Sequence, residues 1–108
     1  MKALQTWVMV MGGLVAFQAN AWDGIVSGAV AGFDVTSGQN YGFRVYLAGA
    51  TSYCGATPPY DFAYINEADS NYKSYAAALM MAKVEGSLVT LHLMREGGAC
   101  KIGYLAVR

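Results

Sequence analysis

Cys54 and Cys100 are the only cysteines of this chain, and they carry its clearest chemistry. In an oxidising compartment the pair forms one disulfide. It would close a loop of about 45 residues, which the chain-entropy relation values at roughly 4 kcal/mol. The alternative is two free thiols. A metal site needs more ligands than this, and His92 is the only histidine, so neither metal nor cofactor is expected. His92 falls between Leu91 and Leu93 on a candidate strand and should point away from their face. No carboxylate sits near it in sequence to make it a general base. The serines lack a nucleophile-elbow context, and the scattered acids form no acid/base pair. The dispersed glycines make no phosphate loop or dinucleotide fingerprint. No catalytic residue is assigned, and the chain reads as a binder rather than an enzyme.

Aromatic residues suggest what could be bound. Trp22, Phe33, Tyr41, Tyr46, Tyr53, Tyr60 and Tyr64 are plentiful for a chain of 108 residues. Rings with polar edges suit carbohydrates, whose C–H faces pack on them while hydroxyls find hydrogen bonds. The alternative is ordinary core and hairpin packing.

The amino terminus sets the compartment. Lys2 precedes the uncharged run Val8 to Phe17, and Ala19-Asn20-Ala21 ends in a small-x-small pattern. Residues 1–21 therefore read as a signal peptide cleaved after Ala21, giving a secreted or periplasmic protein. The run is too short to span a ~30 Å hydrocarbon core. A buried helix or membrane anchor is the alternative. Residues 22–108 then form a single small domain, which needs a staple or a partner for stability. Seven Lys/Arg balance seven Asp/Glu across the whole chain. With no basic stripe, nucleic acid is not an expected partner. Only 13% of residues are charged while 56% are hydrophobic, which favours self-association.

The pattern predicts five strands and one helix. Gly24 to Val35 reads as a strand, with Gly28 and Gly32 as bulge or bend sites. Turn residues at 36–40 lead into a second strand, Tyr41 to Leu47. In it Phe43, Val45 and Leu47 share a buried face, and Arg44 and Tyr46 share the other. Ala48 to Tyr60 is a loop, and Phe62 to Ile65 a short third strand. A helix covers Tyr72 to Glu85, with Asp69, Ser70 or Asn71 as N-cap and Gly86 at its left-handed end. Leu88 to Met94 and Lys101 to Val107 are the last strands, joined by a turn at Glu96-Gly97-Gly98. The expected fold is mainly β with one helix: a five-stranded, OB-like, partly open barrel in the order β-β-β-α-β-β. The alternative is an α+β sheet with the helix on one face.

The helix adds a clue. Tyr72, Tyr75, Ala76, Leu79 and Ala82 form one apolar stripe, yet Ala77, Ala78, Met80 and Met81 make the opposite side apolar too. A helix apolar on two sides is usually buried on two sides, which points to neighbouring subunits. The alternative is an Ala-rich helix chosen for propensity.

The block Trp22-Asp23-Gly24-Ile25-Val26-Ser27-Gly28 resembles the first strand of the B subunits of subtilase-type and pertussis-like bacterial AB5 toxins. The following hairpin, the segment Tyr75-Ala76-Ala77-Ala78-Leu79 closed by Gly86, and the strand Leu88 to Leu93 are similar as well. The resemblance implies an OB-fold protomer and a pentameric ring with its helices around a central pore. It also implies a lectin activity toward cell-surface glycans, often sialylated, and an enzymatic A subunit as partner. Asp23 and Ser27 match the aspartate and serine that help hold the sugar in the subtilase-type subunit. A tyrosine late in that family's fourth strand has Leu93 at the corresponding position here, beside His92. The family's loop cysteine is matched by Cys54. Ser27 suits such a role, since its hydroxyl can donate once and accept twice and Gly28 allows close approach to the backbone. A plain strand bulge at Ser27-Gly28 is the alternative.

Overall fold

The computed structural model describes residues 22–55 and 61–108. The predicted signal peptide, Tyr60 and the Pro58-Pro59 pair lie outside the described residues. The element order is β1 Gly24–Val35, β2 Phe43–Leu47, β3 Ala63–Ile65, α1 Tyr72–Glu85, β4 Leu88–Glu96 and β5 Ala99–Val107. The strands hydrogen-bond in the ring β1-β2-β3-β5-β4 and back to β1. This is the β-β-β-α-β-β order of an OB-type barrel. All neighbours are antiparallel except β3 and β5, which close the ring through two parallel pairs, Ala63↔Cys100 and Tyr64↔Lys101. A closed ring excludes the flat-sheet alternative.

β1 is long enough to serve both halves of the ring. Its first half pairs with β4 from Gly24↔Leu93 to Ala29↔Leu88, and its second half pairs with β2. The register shifts between Val30 and Gly32, so the predicted bulge falls there. Gly28 has a different role. A Cβ on it would lie 2.9 Å from the carbonyl oxygen of Ala48, whose N–H bonds to Ala29.

Three strand starts differ from expectation, each for a local reason. Tyr41 takes a left-handed φ of 53° and belongs to the turn, so β2 begins at Phe43. β3 begins at Ala63, where pairing with Val45 starts. β5 begins two residues early, at Ala99, because Gly97 and Gly98 both adopt positive φ and turn the chain tightly enough to pair Glu96 with Ala99.

The helix occupies its predicted span. Gly86 ends it in the left-handed region, donating its N–H to Ala82 O. Asn71 is the N-cap but with φ 64° and no side-chain capping bond. Asp69, another N-cap candidate, instead accepts the N–H of Asn66 on Oδ2 and pairs with Lys101.

The core fills the ring with Phe43, Val45 and Leu47 of β2, Val89, Leu91 and Leu93 of β4, and Ala76, Leu79 and Ala82 of the helix. The alternation predicted for β2 is the one observed, with Arg44 and Tyr46 outward and half-buried. Cys54 and Cys100 form the expected disulfide, fully inside the core.

Candidate functional site

Outside the ring, β1, β4 and β5 form a continuous face. Val89, Leu91 and Leu93 are buried, so Thr90 and His92 point outward. The register then sets side chains in rows. One row is Ser27, Thr90 and Ala106, and the next is Ile25, His92 and Tyr104. The first row is low and polar. Ser27 Oγ and Thr90 Oγ1 lie 2.8 Å apart, hydrogen-bonded to each other at an exposed position. The second row is tall and apolar, with Ile25 58% and Tyr104 51% exposed.

A bulge in β5 creates the top of this face. Gly103 is the extra residue where the β4–β5 register shifts between His92 and Leu93. A Cβ there would lie 2.5 Å from Trp22 Cζ3, so only bare backbone lets the indole settle. Trp22 packs edge-on to His92 at 5.4 Å between ring centroids, and His92 lies 4.7 Å from Tyr104. The three rings make one aromatic tier beside the two hydroxyls. His92 Nδ1 is buried in it with no hydrogen-bond partner among the described residues.

Asp23 and Ser27 lie four positions apart on one extended segment, about 13 Å, on either side of the Ile25 row. Asp23 Oδ2 accepts the Arg95 backbone N–H at 2.7 Å, and its own N–H donates to Leu93 O. It ties the start of β1 to the end of β4. Arg95 in turn donates from Nε and Nη2 to Cys54 O at 3.1 and 2.8 Å, and sits opposite Cys100 across the ladder. Leu93, which the resemblance sets against a tyrosine, points into the core; His92 is the outward residue there.

The remaining sequence-selected aromatics divide in two. Phe33 stacks on Phe43. Tyr53 is buried, and its Oη accepts the Leu47 N–H at 2.9 Å. Burial is the main cause that pushes its phenol above the usual range. Tyr41, Tyr46 and Tyr64 gather with Phe62 in a satellite cluster outside β2 and β3. Burial raises the Tyr64 phenol to about 12, with Glu96 adding to the shift. Burial and then the hydrogen bond donated to Asp34 raise Tyr46. Arg44 caps the cluster, its guanidinium 5.2 Å from the Phe62 ring centre. These rings pack the protein rather than present themselves. Sequence reasoning did not select Tyr104, although outward alternation in β5 was available to flag it.

The helix leaves its second apolar side uncovered. Ala77, Met80, Met81 and Val84 line a shallow groove of about 450 Å³, with Met81 62% and Val84 86% exposed. No helix among the described residues is long and apolar enough to cross a membrane. No protein-family model matches the chain, and no curated protein does either.

Proposed function

We propose that this protein is an exported glycan-binding subunit, similar in role to AB5 toxin B subunits, that works by binding rather than catalysis. The observation that carries this reading is the Ser27–Thr90 hydroxyl pair set beside the Trp22–His92–Tyr104 tier. A sugar lying on the low row meets hydroxyl donors and acceptors from below and an aromatic wall at its side. Asp23 borders the same face and holds its Trp22 corner in place. The buried disulfide fits residence in an oxidising compartment.

The uncovered helix groove supports assembly. Packing Met80, Met81 and Val84 against the same helix of neighbouring copies would remove the largest exposed apolar side chains of α1 from water. A ring of such subunits, with an enzymatic A subunit as partner, is the assembly that the resemblance suggests. That groove also favours a second reading: a protein that assembles in the periplasm or at the cell surface through this helix and binds no sugar.

A glycan array separates the two. Binding by the folded, disulfide-bonded protein, weakened at least tenfold by Ser27→Ala with little change in Tm, is expected. No binding, or binding untouched by Ser27→Ala, refutes the lectin role. Light scattering tests the ring, and a monomer at high concentration refutes it.

A further inference from the structure

A cleft lies on the far side of the aromatic tier from the hydroxyl pair. It holds about 280 Å³ between the start of α1 and the β4–β5 hairpin, and its lining includes Asp69, Ser70, Asn71, Tyr75, Met94 and Lys101. Gly103 is part of its lining, and the Trp22 ring and the Met94 side chain both lie close over Gly103, where a Cβ would meet them. The indole therefore stands at the rim shared by the cleft and the tier. Thr90 and Met94 are four positions apart on β4, so the cleft begins about 13 Å from the hydroxyl pair. The distance is longer than one sugar ring spans, so a ligand that reaches both places must be a chain of sugars.

The chemistry of the cleft narrows what it accepts. Lys101 Nζ lies 3.0 Å from Asp69 and 3.8 Å from Glu96. Asp69 is further committed to the Asn66 N–H. The ammonium is thus matched by two carboxylates and has no spare charge for an anion. The Asn71 side chain makes no capping bond and, with the Ser70 hydroxyl, is left as neutral hydrogen-bonding chemistry. Tyr75 and Met94 supply apolar walls. Neutral polar groups between apolar walls match an uncharged sugar ring, with C–H faces and hydroxyl edges.

We infer that the ligand is a short chain of sugars, one ring seated at Ser27 and Thr90 and a second, uncharged ring in the cleft lined by Ser70, Asn71, Tyr75 and Met94, with Trp22 between them. This rests on the glycan reading above. It makes the protein a reader of chain length and not only of a terminal sugar.

The test is an array of immobilised neutral monosaccharides, sialic acid, and the di- to tetrasaccharides that contain them, probed with wild type and with Ser70→Ala/Asn71→Gly. Glycine accepts the left-handed φ at position 71 without strain, so the double variant should fold; Ser70→Ala alone is the fallback if its melt is lowered. Chains are expected to bind at least tenfold more tightly than the single sugars, and the gain should fall below threefold in the variant. Single sugars binding as well as chains, or a gain that survives the variant, would overturn the cleft assignment while leaving lectin activity standing. Binding to nothing on the array would overturn both.

Discussion

Tyr53→Phe removes one oxygen atom and tests how the loop after β2 is held. The Tyr53 hydroxyl is the acceptor for the Leu47 N–H at 2.9 Å, in a buried setting. Leu47 is the last residue of β2, so this bond ties the end of the strand to the loop six residues on. Phenylalanine keeps the ring packing and takes this buried acceptor away from the Leu47 N–H, at an expected cost of about 1–3 kcal/mol. The loss of an exposed hydroxyl would stay within about 0.5 kcal/mol. For a domain of this size, a 2 kcal/mol loss corresponds to a fall in Tm of about 8–16 °C. Urea denaturation monitored by tryptophan fluorescence should show a lower midpoint with an unchanged m value. A midpoint within error of wild type would mean that water or a moved carbonyl satisfies Leu47, and the reasoning would fail.

Other perturbations follow the same logic. Replacing both cysteines by alanine should cost about 2–4 kcal/mol, since the bridge spans a sequence separation of 46; an unchanged urea midpoint under non-reducing conditions would refute it. Gly24→Ala should cost about 1–3 kcal/mol, because its Cβ would fall 2.0 Å from the Tyr53 carbonyl oxygen and force two backbone segments apart; a neutral substitution would refute that contact. Tyr64, raised to about 12, and Tyr53, Tyr46 and Lys101, all raised, bind protons more tightly folded than unfolded. Their stability contribution is complete below pH ~10 and lost as pH rises through the folded values. Urea midpoints should therefore fall between pH ~10 and ~12, less steeply in Tyr64→Phe, and a flat profile would refute the shifts.

Much of the architecture was legible because its signals are local. The alternation of Phe43, Val45 and Leu47 follows from the two-residue strand period. Gly86 marks the helix end because only glycine enters the left-handed region without cost. Two cysteines in a chain read as exported admit one intrachain bridge. The strand starts slipped where a residue's backbone state is set by its surroundings. The sequence pattern starts β2 at Tyr41, yet Tyr41 adopts positive φ in a turn where Arg44 donates to Tyr41 O and Asn40 O.

By itself the sequence determined the element order, the two apolar sides of the helix, the inward and outward residues of β2, the outward direction of His92, and the cysteine pair. Those depend on periodicity and on neighbours a few residues apart. Tertiary structure decided which outward residues meet. Trp22, His92 and Tyr104 are brought together only by the β1–β4–β5 register and the bulge at Gly103, whereas Tyr53 and Tyr64 are withdrawn from solvent. Register is a property of paired strands, and a one-residue slip would exchange every face. No single strand carries that information.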